Sequence, residues 1–158
     1  MSAFRKQAAE GLLQVGTRVR VTRTFREEDL RAFGRLTRDY NPVHTEPRWC
    51  KAKGYGGPIC HGLLVGSMFC DPGGQWGWLA TDMSFRFRRP VYIGDTVTCE
   101  LTITELDERQ KARGECSFTN QRGEVVMTAT LAGYLPNSAE RELLGRMVAE
   151  GDPTNALP

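Results

Sequence analysis

The stretch from His61 to Cys70, HGLLVGSMFC, decides the fold of this chain. It is apolar almost throughout and lies between the glycine-rich loop 54–58 and the breaker sequence Asp71-Pro72-Gly73-Gly74. This pattern predicts a helix that is threaded through a core and ends at Asp71. Its weakly polar part, Gly62 to Cys70, is nine residues, less than half of the about 20 residues that a membrane-spanning helix needs. Gly62 and Gly66 each cost about 1 kcal/mol relative to alanine in a helix interior, which indicates close approach by another backbone or by a ligand.

Apolar residues recur with a period of two after this helix, which is typical of half-buried strands. The alternating segments are Met83 to Phe87, Val97 to Ile103, Ala112 to Thr119 and Glu124 to Tyr134, with Gly94-Asp95 and Asn120 to Gly123 as turns. An earlier strand is predicted from Thr17 to Phe25. The sequence therefore predicts an α+β fold in which an antiparallel sheet wraps one long central helix.

Two more helices are predicted between the first strand and the central helix. Thr24 and Glu27 have the spacing of a capping box at a helix start. The apolar stripe of that helix is Leu30, Phe33 and Leu36. Asn41-Pro42 ends it, because proline disfavours helical geometry at the preceding residue and has no N–H to donate. A short helix is expected over Pro47 to Lys53.

The composition is that of one ordinary globular domain. The chain has 158 residues, of which 25% are charged, and a formal net charge of +2. We expect a single domain over residues 1–136, then a peripheral helix and tail over residues 137–158. No block of like charges indicates a nucleic-acid partner, and the opening MSAFRKQAAEG lacks the apolar core of a signal peptide. No membrane association is expected.

The cysteines indicate a reducing compartment. There are five, none in a CxxC pair, so they cannot all form disulfides within one chain. A cytoplasmic location is the expectation. Cys50, Cys60 and Cys70 lack the closely spaced partners of a metal site, so no metal is predicted.

Candidate chemistry is concentrated between Asp39 and Gly62. The chain has two histidines, and the segment DYNPVH places Asp39, Asn41 and His44 around a turn stiffened by Pro42. A carboxylate and an imidazole that converge can orient a water molecule and move its protons. The alternative is a helix-ending turn in which Asn41 has a backbone role and His44 is an ordinary loop residue.

The amide of Gly62 is the second candidate. It lies at the start of the central helix, where unpaired N–H groups can polarise a carbonyl oxygen. The alternative is a glycine required for tight helix packing. Ser67 lies deep in the apolar helix without a GxSxG elbow, so a serine nucleophile is not favoured.

The run RDYNPVHTEPRWCKAKGYGGPICHGLLVGSMF, residues 38–69, resembles the signature of the MaoC-like, R-specific enoyl-CoA hydratase family, also called hydratase 2. FRFRRPVYIGD, residues 85–95, resembles the strand and turn downstream in that family. The resemblance implies a hot-dog fold over residues 1–136, with a long central helix wrapped by a curved antiparallel sheet, and pairing into homodimers or higher homo-oligomers. It also implies the reversible addition of water to a trans-2-enoyl-CoA, giving the (R)-3-hydroxyacyl thioester without a cofactor.

The resemblance also implies roles for individual residues. Asp39 and His44 would hold the catalytic water, Asn41 would shape that site, and the N–H of Gly62 would polarise the thioester carbonyl. An acyl tunnel beside the helix would be lined by Val65, Ser67, Met68 and Phe69. One departure from the family is Arg38, because many members have glycine directly before the aspartate.

Two alternative functions and one open assignment accompany this interpretation. A hot-dog thioesterase would need a carboxylate near the central helix, and none lies between Gly62 and Cys70. A non-catalytic acyl-CoA-binding protein would not require both Asp39 and His44. Arg86, Arg88 and Arg89 either meet CoA phosphates or form a solvated strand face.

Overall fold

The computed structural model describes residues 3–151 and contains a five-stranded antiparallel sheet. The strands are β1 Arg18–Thr24, β2 Leu79–Phe87, β3 Thr96–Leu106, β4 Lys111–Asn120 and β5 Val125–Tyr134. Their order across the sheet is β1-β3-β4-β5-β2, so β1 and β2 form its two edges. The predicted α+β class and its antiparallel strands are confirmed.

The helices are α1 Ala3–Ala9, α2 Glu27–Thr37, α3 Pro47–Ala52, α4 Gly62–Gly66, α5 Cys70–Gln75 and α6 Ser138–Ala149. Short 3₁₀ turns cover Pro42–His44 and Ser67–Phe69. None of the helices in residues 3–151 is both long enough and apolar enough to cross a bilayer.

The core lies between the sheet and the central helical segment. In β3 every second residue is buried, and Val97, Cys99, Leu101 and Ile103 are at most 1% exposed. These residues pack with Leu64, Val65, Met68 and Phe69 of the central segment in one apolar cluster. The alternation that predicted this strand therefore identifies the face of β3 that packs against the helix.

The central helix runs further than the sequence predicts. Helix α4, the 3₁₀ turn Ser67–Phe69 and α5 follow one another without a gap, so the segment continues to Gln75 instead of ending at Asp71. The predicted end was wrong because the 3₁₀ turn interrupts the α-helical hydrogen-bond pattern first. Pro72 then falls in the first turn of α5, where an N–H has no helical acceptor to lose.

Gly62 and Gly66 allow two aromatic rings to lie against the helix. A Cβ on Gly62 would come within 2.8 Å of the Cδ1 and Cζ atoms of Phe87, and one on Gly66 within 2.8 Å of Cε1 of Phe85. The two rings lie parallel, with centroids 6.3 Å apart. The predicted close approach is present, but the groups that approach are aromatic side chains of β2, not another backbone or a ligand as expected.

Helix α2 differs from its prediction at its start and along its stripe. The backbone N–H of Arg26 donates to the Asp29 carboxylate at 2.8 Å, so the capping box begins at Arg26 and not at Thr24 as predicted. Thr24 instead belongs to β1 and pairs with Thr96 of β3. Leu36 is 82% exposed, because it lies about 120° around the helix from the buried Leu30.

The two ends of the described chain pack on each other. Helix α6, which covers most of the predicted C-terminal helix, contacts α1. Helix α1 also contacts α5, and its Gln7 accepts a hydrogen bond from the Trp76 indole at 3.2 Å. The predicted tail beyond Gly151 lies outside the described residues.

Candidate active site

A turn between α2 and α3 carries the candidate catalytic residues. Helix α2 ends at Thr37, and Arg38 adopts the left-handed conformation with φ of 59°. The N–H of Asn41 then donates to Asp39 Oδ1 at 3.2 Å, and the side chain of Asn41 accepts from the N–H of Val43 at 3.2 Å. Asn41 therefore builds the turn that presents Asp39, which is the backbone role considered above.

His44 is held in one orientation by the backbone. Its Nδ1 lies 2.8 Å from the carbonyl oxygen of Ile59, and Ile59 donates its own N–H to Val43 at 3.1 Å. A carbonyl only accepts, so Nδ1 carries the proton and Nε2 presents a lone pair in the neutral ring. His44 Nε2 lies 3.8 Å from Oδ2 of Asp39, and the two side chains are 9% and 50% exposed, respectively. The gap suits one small polar molecule that contacts both atoms.

His61 is the third member of the cluster, and the sequence did not assign it a role. It is 3% exposed and caps the start of α4. Its Nε2 lies 3.1 Å from the carbonyl oxygen of Asp39, and its ring stacks on that of His44 with centroids 3.8 Å apart. Burial lowers the pKa of His61, and the neighbouring His44 lowers it further. The available signal was its position beside Gly62 in a chain with two histidines.

Gly62 is the first residue of α4, so its N–H belongs to the first helical turn, which has no intrahelical acceptor. Together with Asp39, His44 and His61 it lines a cavity of about 520 Å³. The structure therefore brings the predicted Asp39, His44 and Gly62 to one cavity. Asn41 does not line it.

The cavity has apolar walls and a basic part. Val65, Val91 and Met127 contribute to its walls, and Arg88 and Arg89 also line it. A second cavity of about 310 Å³ also reaches Asp39, His44 and His61, and α2 contributes to its wall. The catalytic candidates are thus accessible from two cavities.

The predicted acyl-binding residues separate into two groups. Val65 lines the larger cavity, whereas Ser67, Met68 and Phe69 do not. The Ser67 hydroxyl donates to the carbonyl of Leu64 at 2.7 Å, and Met68 and Phe69 are buried in the core. The arginines also separate, because Arg86 lies in a groove with Glu100 and Glu115 that does not include Arg88 or Arg89.

Cys60 also lines the larger cavity, beside His61. Burial, with smaller contributions from Asp95 and Asp29, raises its pKa to about 12. The group is therefore a thiol at neutral pH, and only a thiolate is an effective nucleophile.

Within residues 3–151, one group of side chains is close enough together to hold a metal ion. Asp39, His44 and His61 each offer a ligand atom, and these atoms lie within 4.8 Å of one another. One ring nitrogen of each histidine already contacts a backbone carbonyl oxygen.

The structure combines an antiparallel sheet packed on a central helical segment with an aspartate–histidine pair and an apolar cavity beside the start of that helix. This combination is typical of a hot-dog enzyme of the hydratase and dehydratase class. The sequence model of one such family, described as MaoC like domain, matches residues 10–124. The chain belongs to this family and is a hydro-lyase.

Curated relatives and a solved structure agree with this assignment. The chain is 35% identical over 129 residues to an (R)-specific enoyl-CoA hydratase of Aeromonas caviae, covering 78% of this chain and 96% of the relative. It is 32% identical over 148 residues to a mitochondrial 3-hydroxyacyl-[acyl-carrier-protein] dehydratase of Arabidopsis thaliana, covering 87% and 86%. The solved structure of the A. caviae (R)-hydratase superposes with a TM-score of 0.73 at 32% identity, covering 78% of this chain and 98% of that structure.

Proposed function

We propose that this protein catalyses the reversible hydration of trans-2-enoyl-CoA thioesters to (R)-3-hydroxyacyl-CoA thioesters. The observation that carries the proposal is the 3.8 Å separation of His44 Nε2 and Asp39 Oδ2 beside a cavity that Gly62 also lines. The Aeromonas caviae relative, an (R)-specific enoyl-CoA hydratase by name, supports this substrate class.

The hydrogen bonds of the site suit the proton transfers of hydration. A water molecule between Asp39 and His44 attacks C3 of the enoyl group as His44 Nε2, the ring nitrogen with the lone pair, accepts one of its protons. His44 Nε2 then passes this proton to C2 on the same face, so the OH and H of one water add across the double bond and the thioester remains intact. Asp39 orients the water and stabilises the imidazolium of His44.

We assign the stabilisation of the developing charge to the Gly62 amide. As water attacks C3, electron density moves onto the thioester oxygen, which an N–H donor stabilises in a site that excludes water. Gly62 provides such an amide at the first turn of α4. In the reverse direction the same contact stabilises the enolate formed when C2 loses its proton.

The reaction proceeds without a metal or cofactor in this proposal. The catalytic water is activated by Asp39 and His44, and the one reaction partner is the CoA thioester. Arg88 and Arg89 line the cavity and suit the phosphates of CoA, because guanidinium groups form charge-assisted hydrogen bonds with phosphate oxygens.

A homodimer through the β2 edge is part of the proposal. β2 pairs with β5 on one side, and its other edge has no strand partner within residues 3–151. Its apolar residues Leu79, Met83 and Phe87 are between 46% and 70% exposed. An exposed apolar edge strand of this length is a surface that a second strand covers.

A cytoplasmic location is also proposed, since all five cysteines are free thiols.

The hydration of crotonyl-CoA tests the function directly. Loss of the enoyl-thioester absorbance, with the R alcohol identified by chiral analysis, is the expected result. Asp39→Asn and His44→Ala should each reduce turnover by several orders of magnitude, and the double variant should be little worse than either, because residues that act as a unit are not additive. Asp71→Asn, an exposed carboxylate on α5, is the matched control and should retain activity.

The other outcomes identify the alternatives. Release of free thiol from the acyl-CoA would show a thioesterase instead. Tight acyl-CoA binding without change in absorbance would show a binding protein. Full activity in both the Asp39 and His44 variants would refute the assigned site, provided that thermal unfolding shows each variant to be folded.

A further inference from the structure

His61 connects the two halves of the candidate active site. It caps α4 immediately before Gly62, and its ring lies among residues from two other segments. Phe33 of α2 approaches it with a centroid distance of 5.2 Å, and a Cβ on Gly34 would lie 3.6 Å from His61 Cε1. The ring is therefore fixed against α2 while its backbone belongs to the helix that presents the Gly62 amide.

The first contact of functional interest is with the backbone of Asp39. His61 Nε2 lies 3.1 Å from that carbonyl oxygen, so Nε2 carries a proton and donates it. This carbonyl belongs to the turn that follows the left-handed Arg38. The hydrogen bond therefore fixes the peptide from which the Asp39 carboxylate extends.

The second contact is with the ring of His44. The two rings stack at 3.8 Å with an interplanar angle of 26°. Two imidazolium ions cannot share this position at low energy, because like charges this close repel. Burial disfavours the charge on His61 and lowers its pKa. The Nδ1 atom of His61 is also buried without a hydrogen-bond partner, so a proton placed there would find no acceptor.

We infer that His61 is a positioning residue: its neutral ring holds Asp39 through the backbone and His44 through stacking, and thereby sets both against the Gly62 amide. This inference rests on the proposed function. His44 is the ring that accepts the proton from water, and His61 keeps the Nε2–H form throughout the reaction.

The tautomers provide a test that does not depend on activity. The chain has two histidines, so ¹⁵N-labelled histidine gives two ring systems, and the spectrum of His44→Gln assigns the remaining one. At pH 8.5 we expect opposite tautomers, with Nδ1–H in His44 and Nε2–H in His61. An Nδ1–H tautomer of His61 would overturn the inference, because that ring could not donate to Asp39.

Two substitutions separate the hydrogen bond from packing. His61→Gln places an amide donor near the position of Nε2 but loses the ring, whereas His61→Phe retains a ring and loses the donor. With crotonyl-CoA we expect His61→Phe to lower kcat by about 10- to 100-fold with little change in KM, since small displacements of catalytic groups have effects of this size. His61→Gln should recover most of that loss, because we assign the larger part of the positioning to the hydrogen bond with Asp39 and the smaller part to stacking on His44.

Trp76→Phe is the matched control. It removes one side-chain hydrogen bond from a buried aromatic residue at the far end of the same helical segment, and it should leave kcat unchanged. Recovery by phenylalanine but not glutamine would show a packing role and overturn the inference, as would equal losses or no loss in both variants. An inactive wild-type protein would refute the proposed function instead, while the tautomer measurement would still test the contact.

Discussion

Replacing Arg38 with glycine is expected to give a free energy of unfolding about 0.5 to 1 kcal/mol higher than replacing it with alanine. Arg38 ends α2 with φ of 59° and ψ of 23°, a left-handed conformation. For a residue with a Cβ this conformation costs roughly 1–2 kcal/mol, and glycine adopts it readily. Glycine also gives the unfolded chain more conformational entropy, which offsets about 0.4–1 kcal/mol of that gain.

Comparison with alanine isolates the backbone effect. Both Arg38→Gly and Arg38→Ala remove a cation near the C-terminus of α2, which is worth about 0.3–1 kcal/mol in either case. Only glycine relieves the left-handed strain. Arg35→Gly, three residues earlier in the regular part of the same helix, should have the opposite sign and cost about 1 kcal/mol.

Urea unfolding at fixed pH measures these differences, and thermal unfolding should place Arg38→Gly about 1–4 °C above Arg38→Ala for a chain of this size. If Arg38→Gly is no more stable than Arg38→Ala, the left-handed geometry does not carry the strain assigned to it. The urea slopes of the variants should agree, so that the midpoints report stability alone.

Two further predictions concern Cys60 and the β2 edge. Burial raises the pKa of Cys60 from about 9 to about 12. The buried thiol therefore contributes stability that is fully present below pH 9 and is lost as pH rises toward 12, by at most about 1.4 kcal/mol per pH unit. Cys60→Ser should flatten the fall in urea midpoint between pH 9 and 11, and an unchanged slope would contradict the assignment. Met83→Arg should convert the dimer to a monomer in sedimentation velocity, whereas Leu12→Arg, also at an exposed apolar position, should not; a monomeric wild-type protein would exclude the β2 interface.

The predictions that succeeded depend on local patterns. The alternation in β3 identified its buried face because the period of side chains in a strand is fixed at two. The spacing of Asp39, Asn41 and His44 predicted a turn that brings Asp39 and His44 together, because Asn41 and Pro42 shape this turn through contacts within a few residues. Such features need no knowledge of the rest of the fold.

Two features that the sequence patterns missed, Thr24 and His61, depend on contacts between distant segments, and the third is a local irregularity in the central helix. Thr24 has the spacing of a helix cap, but its pairing with Thr96 of β3 retains it in the strand. Asp71 and Pro72 resemble a helix end, but the preceding 3₁₀ turn moves Pro72 into a tolerated position. His61 could not be recognised as a partner of Asp39 and His44, because its contacts form only when α4 packs against α2.

The two sequence blocks that carry the family resemblance are connected by one series of contacts. Asp95, at the end of the second block, is buried and accepts a hydrogen bond from the N–H of Tyr92 at 2.9 Å. Tyr92 forms a β-bridge with Ile59, and the carbonyl oxygen of Ile59 accepts the hydrogen bond that orients His44. The turn at Asp95 therefore fixes the β-bridge that positions the Ile59 carbonyl against His44, although Asp95 lines neither cavity at the site. Under the proposed function, the second block is needed to place the base, because the DYNPVH turn supplies His44 but not the carbonyl that orients it.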